Sequence, residues 1–225
     1  MLLAPTGFGC EATVTWCDGA CEHAPYVGLV GAGASALLGG WGMSQYRRWF
    51  VPGGTFFFTV VALGRRPVFT QRIARVALRQ AFREVRGRHP FAVDAIVLLP
   101  DHLHAVWSLP AGDDRYSLRW RQIKSRFTQE FLRRGGSELP GSASRQRRGE
   151  RGVLQRRFFE HTVRDEADLK RCVDYVHINP LKHGLVTRVV DWPWSSFHRY
   201  VALGEYTADW GSDPTFYGDE WLEYE

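Results

Sequence analysis

Two short stretches of this chain hold side chains that could do chemistry together. The first is His102-Leu103-His104. In an extended strand, side chains two apart share a face, so both imidazoles point the same way. Leu103, Ala105, Trp107 and Leu109 then point to the opposite, buried face. A pair of imidazoles on one sheet face is a workable divalent-metal site that needs a further ligand from elsewhere. The plain alternative is two surface histidines flanking a core strand. The second stretch is the helical segment that follows Asp165. At about 100° per residue, Leu169, Cys172, Val173 and Val176 form its buried stripe. Tyr175 and Asn179, four apart, sit side by side on its flank, with Arg171 one turn earlier. The plain reading is a packing tyrosine and a capping asparagine.

Taken together, the two stretches suggest phosphoryl transfer. A tyrosine oxygen with a pKa near ~10 is a weak nucleophile until assisted. A divalent metal between His102, His104 and the Asn179 amide oxygen would polarise a phosphate and orient it towards Tyr175. Arg171 is placed to reach that phosphate.

The elements that must position these groups are legible from Met43 onwards. A Pro52-Gly53-Gly54 turn leads into a buried strand over 55–63. Thr70 caps an expected helix to about Arg86, with Ile73, Val76, Ala77 and Phe82 on one stripe. Strands over 91–99 and 102–109, joined at Pro100-Asp101, form a hairpin. Ser117 opens a helix to about Arg133 with Ile123, Phe127 and Phe131 inward. Residues 135–152 read as a mobile basic loop, and 153–162 as the last strand. The tyrosine helix runs from Asp165 to about Ile178 and ends at Asn179-Pro180. A short helix covers about 195–201. This order implies an α+β fold: an antiparallel β-sheet with helices on one face, its other face available for a ligand.

Charge is distributed unevenly. The 225 residues carry 29 Lys and Arg against 24 Asp and Glu, a net +5. Residues 1–42 hold no base, and residues 203–225 hold seven acids and no base. The segment 43–202 therefore holds all 29 bases, 26 of them Arg, against 14 acids, a balance of +15. Arginine suits bidentate contact with phosphate, so a polyanion partner is expected, nucleic acid first. Arg47, Arg48, Arg65 and Arg66, with the cluster Arg145, Arg147, Arg148 and Arg151, are candidates for phosphate contact. The chain divides into an N-terminal extension (1–42), a catalytic domain (43–202) and an acidic tail (203–225). Cys10, Cys17, Cys21 and His23 match no common zinc spacing. The abrupt composition change suggests that Met43 is the biological start. No apolar run is long enough for a membrane helix.

Six runs carry a family resemblance: Tyr46-Arg47-Arg48, VPGGTFFFT (51–59), LPDHLH (99–104), QRRFFEH (155–161), DYVHINPLKHGLV (174–186) and DWPWSSF (191–197). In this order they resemble the REP-associated tyrosine transposases, single-tyrosine members of the His-hydrophobe-His nuclease superfamily. Leu154 and Phe159 depart from the family pattern outside the chemistry. The resemblance implies a ferredoxin- or RRM-like sheet and a C-terminal helix carrying the nucleophile. It implies Mg²⁺ or Mn²⁺ on His102 and His104, with Asn179 as a further ligand, and Tyr175 attacking DNA. The implied partner is single-stranded DNA folded into a REP-like palindromic hairpin, in a cytoplasmic, nucleoid-associated setting. Two alternatives stay open: a non-catalytic hairpin-binding protein on the same scaffold, and an RNA-binding α+β module. Monomer or dimer, and action of Tyr175 within or between subunits, are also open.

Overall fold

A computed structural model of the protein describes residues 50–211. The N-terminal Cys/His group, Arg47, Arg48 and the distal acidic tail lie outside these residues. Four strands, β1 (Thr55–Val61), β2 (Ala92–Leu98), β3 (His102–Ser108) and β4 (Phe159–Thr162), form one antiparallel sheet in the order β2-β3-β1-β4. The β-α-β-β-α-β order with this strand arrangement is the ferredoxin-like one.

Two helices, α1 (Arg72–Arg88) and α2 (Tyr116–Arg133), cover one face. Phe56, Phe58 and Val60 of β1 point into this layer, with Leu103, Ala105 and Trp107 of β3. Trp107 stacks on Trp120 of α2 with ring centres 4.2 Å apart. Ile123, Phe127 and Phe131 are fully buried, as their spacing predicts. On α1 the stripe is rotated from the expected one. Ala74, Ala77, Leu78, Ala81, Phe82 and Val85 are buried, while Val76 is exposed. The small alanines let the helix approach the sheet, which a stripe chosen by residue size overlooks.

The second face is not open. The tyrosine helix α4 (Glu166–Lys182) packs across it, against Phe57, Ala95, Val97 and Val106. This is why β1 reads as an unbroken apolar run: both its faces are covered. α4 also runs past the expected stop, with Pro180 inside it and His183 as C-cap. Pro180 removes a donor to the Val176 carbonyl without ending the helix. The chain leaves α4 through Gly184, at φ 64°.

A short helix, α3 (Ala143–Arg147), interrupts the expected basic loop. Arg66 spans that loop by donating to the carbonyls of Ser137 and Gly152. The expected strand over 153–162 is reduced to β4 and an isolated bridge between Ala62 and Leu154.

After α4 the chain returns along the outer edge of β2. Leu98 N–H donates to the Trp194 carbonyl, and Ser196 N–H to the Ile96 carbonyl. The Trp192 indole donates to the Leu98 carbonyl. Helix α5 (Phe197–Ala202) follows, and Tyr206 and Trp210 pack back beside Phe197. The first nine residues of the expected tail thus join the fold.

Candidate active site

β3 presents His102 and His104 towards α4, with ring centres 4.9 Å apart. Both are buried. Each ring has a partner on Nδ1. The His102 Nδ1 lies 2.6 Å from the Asp101 carboxylate, and the His104 Nδ1 lies 2.9 Å from Thr59 Oγ1 on β1. A proton on Nδ1 leaves the Nε2 lone pair for a ligand, the arrangement seen around metal-bound histidines. Burial pushes the proton affinity of His102 below its usual value, against the pull of Asp101. Burial, then the neighbouring His102, His183 and Lys182, push that of His104 well below, and only the Asn179 amide opposes. Burial thus favours the neutral form of both imidazoles.

α4 brings Tyr175 and Asn179 to the same place. The Tyr175 ring meets the His104 ring edge-on at 5.2 Å and that of Phe57 at 5.7 Å. Asn179 donates its amide N–H to the Tyr175 carbonyl one turn back in a long bond of 3.4 Å. The Asn179 Oδ1 and the His104 Nε2 are both buried and make no hydrogen bond of good geometry, although the amide lies near enough to raise the proton affinity of the imidazole. An unpartnered buried acceptor costs about 1–3 kcal/mol. Two of them on facing elements suit a shared cation. Imidazole nitrogen and amide oxygen are donors that Mn²⁺ accepts readily and Mg²⁺ accepts with water completing the shell.

Sequence reasoning gives Lys182, Asp101 and Thr59 no role here and reads His183 as a packing or capping residue. Lys182 places Nζ 5.2 Å from the centre of the Tyr175 ring. The ring of His183 lies 5.3 Å from that of His102. Asp101 and Thr59 orient the two histidines. The i, i+7 spacing of Lys182 from Tyr175 was readable once the helix was carried through Pro180.

Of the other expected residues, Arg65 is exposed and pairs with Asp101 at 3.4 Å, beside His102. Arg145 and Arg147 lie on α3, with Arg147 exposed. Arg148 pairs with Glu150 and Arg151 with Glu138. Arg171 pairs with Asp168. Among the described residues, His161, Asp168 and Cys172 form the one His/Cys/Asp/Glu group with metal-like spacing, their ligand atoms within 4.8 Å. The buried Asp168 there accepts from Arg164, Arg171 and the Arg164 N–H, and lies 2.9 Å from His161 Nε2. Two guanidiniums already balance its charge, so the group is an ion-pair hub joining β4 to α4.

A ferredoxin-like sheet with a histidine pair facing a helix tyrosine defines the class. Comparison with known proteins gives the family. The chain is 43% identical over 173 residues to the REP-associated tyrosine transposase of Escherichia coli (strain K12), covering 77% of this chain and 94% of that protein. A relative from Haemophilus influenzae is 42% identical over 173 residues, covering 76% and 96%. A solved REP-associated tyrosine transposase bound to a REP hairpin superposes with a TM-score of 0.62 at 42% identity, covering 76% of this chain and 93% of that one. No family model matches the chain. The chain belongs to the REP-associated tyrosine transposases.

Proposed function

We propose that this transposase nicks and rejoins single-stranded DNA folded into REP-like hairpins, using Tyr175 as nucleophile. The observation that carries the reading is the meeting of Tyr175 with two buried unpartnered acceptors, His104 Nε2 and Asn179 Oδ1. His102, His104 and Asn179 would hold Mg²⁺ or Mn²⁺, which supplies Lewis-acid polarisation of the scissile phosphate. Asp101 and Thr59 keep the two imidazoles in the tautomer that presents Nε2. Helix α4 holds the Tyr175 phenol beside the histidine pair, so attack begins from a prearranged geometry. The phenol oxygen forms a bond to phosphorus and the bond from phosphorus to the 3′-oxygen breaks. The phenol proton passes to water and the departing 3′-oxygen gains one. A 5′-phosphotyrosine and a free 3′-hydroxyl result, and the reverse step rejoins DNA. Lys182, beside the Tyr175 ring, offsets negative charge as the phosphate approaches.

Incubating Tyr175→Phe with a labelled hairpin oligonucleotide tests the reading. No cleavage and no covalent adduct are expected, with hairpin affinity kept. Persistence of the adduct removes Tyr175 from the role. A chelator should stop cleavage by the unaltered protein, and metal-independent cleavage would remove the cation from the reading.

A further inference from the structure

Helix α1 carries six arginines and one acid, Glu84. Five of the six, Arg72, Arg75, Arg79, Arg83 and Arg86, follow steps of three and four residues. They therefore share one flank, turned away from the buried Ala74, Ala77, Leu78, Ala81, Phe82 and Val85. Glu84 does not interrupt them, because it faces α2 and pairs with Arg126. Arg72 and Arg83 are exposed, and Arg75, Arg79 and Arg86 partly so. From Arg72 to Arg86 the stripe extends about 21 Å at the helical rise.

The stripe starts at the active-site end of the sheet. Phe69 N–H donates to the Pro100 carbonyl, two residues before His102, and Arg75 bonds the carbonyls of Phe69 and Thr70. Arg65, paired with Asp101, adds a further guanidinium beside His102. At the other end Arg86 bonds the Phe91 carbonyl, beside the far end of β2. A basic track thus begins at the end of the sheet that carries His102, on the face opposite the histidine side chains, and runs the length of the helix layer.

This arrangement works against the helix that carries it. Cations at a helix N-terminus oppose the macrodipole, and like charges three or four apart repel. α1 has no acid in its first turn. Burial and the neighbouring Arg72 both lower the proton affinity of Arg75. An anionic partner offsets the repulsion and the dipole penalty.

We infer that the α1 arginine stripe binds the phosphate backbone of the single strand that flanks the hairpin, leading it away from the cleavage site. The inference rests on the proposed function for the identity of the nucleic acid. A flexible single strand can follow a straight track, and evenly placed guanidiniums read its phosphates without regard to sequence. Trp194, under Arg75 with 4.4 Å from guanidinium carbon to ring centre, stiffens the track at its start.

The test is DNA binding by the full chain with Arg72, Arg79 and Arg83 changed together to Gln. The probes are a REP-like hairpin alone, the same hairpin with a single-stranded flank or a duplex flank, and an oligothymidylate. The unaltered protein should bind the single-stranded flank on the order of tenfold more tightly than the bare hairpin, and the variant should lose that gain. The slope of log affinity against log salt should become shallower by about 2 on the flanked probe and on oligothymidylate. Lys at the three positions should restore both, and an unchanged thermal midpoint separates charge from folding. Equal loss on the bare hairpin, a gain confined to the duplex flank, or unchanged oligothymidylate binding would each overturn the inference. Absence of cleavage would not, since binding is read without metal. Absence of any hairpin binding would count against the proposed function, with oligothymidylate still testing the stripe.

Discussion

Replacing Ser196 by Ala should cost far more stability than the loss of one hydroxyl suggests. Ser196 Oγ is buried at the junction of three elements. It accepts the Ile96 N–H at 2.8 Å and lies 2.9 Å from His177 Nε2 on α4. The Ser196 N–H meanwhile pairs with the Ile96 carbonyl. Alanine keeps that backbone bond but orphans two buried polar groups, the Ile96 N–H and the His177 Nε2. Each orphan costs about 1–3 kcal/mol, and the exchange has no compensating gain in apolar burial. The expected loss is about 2–6 kcal/mol, or roughly 5–20 °C in thermal midpoint for a domain of this size. Urea unfolding measures it, with a cycle that adds His177→Phe. If the imidazole and hydroxyl act as one unit, the double variant should lose clearly less than the sum of the singles. A loss under about 0.5 kcal/mol for Ser196→Ala would refute the reasoning, because the junction would then tolerate both orphans. Strict additivity would show that His177 and Ser196 do not share a bond that matters.

Acid should weaken the tie between β4 and α4. Burial raises the Asp168 pKa, but the Arg164 N–H, His161 and the Arg164 side chain outweigh it and hold it at about 2. A carboxylate held below its unfolded value of about 3.9 stabilises fully above that pH and loses the contribution as pH falls towards the folded value. Stability should therefore drop between about pH 4 and 2, and Asp168→Asn should flatten that drop in pH-resolved unfolding. Arg66→Ala should increase protease sensitivity across 137–152 with little effect on the sheet, since Arg66 ties Ser137 to Gly152. Removing residues 212–225 deletes five acids but spares Tyr206 and Trp210. If the acidic tail competes with DNA for the basic surface, this truncation should tighten binding at low salt, and unchanged or weaker affinity would discard that idea.

The grouping of the candidate residues was more legible than its setting. A strand puts residues two apart on one face and a helix puts residues four apart on one flank. His102, His104, Tyr175 and Asn179 could therefore be paired off from spacing, and the structure brings all four together. The open sheet face was misjudged because the tyrosine helix was assigned a stripe but no place to bury it. Phe57, between Phe56 and Phe58, held the clue, since three consecutive buried phenylalanines require cover on both sides. The end of α4 was misplaced because proline stops a helix in isolation, whereas here packing on both flanks of α4 overrides that preference. The α1 arginines are less conspicuous in the sequence than those of the arginine-rich loop, because apolar residues separate them. The same 3.6-residue period that finds a core also finds a charged stripe, once polar residues are counted.

The course of α4 through Pro180 bears on how the site can change state. Tyr175 and Asn179 stand one turn apart on a single uninterrupted helix. The Tyr175 phenol and the Asn179 amide cannot be moved independently. Any displacement that withdraws the phenol from the histidine pair withdraws the amide oxygen with it. On the proposed function, a shift of α4 would therefore withdraw the proposed attacking group and one proposed cation ligand in the same movement.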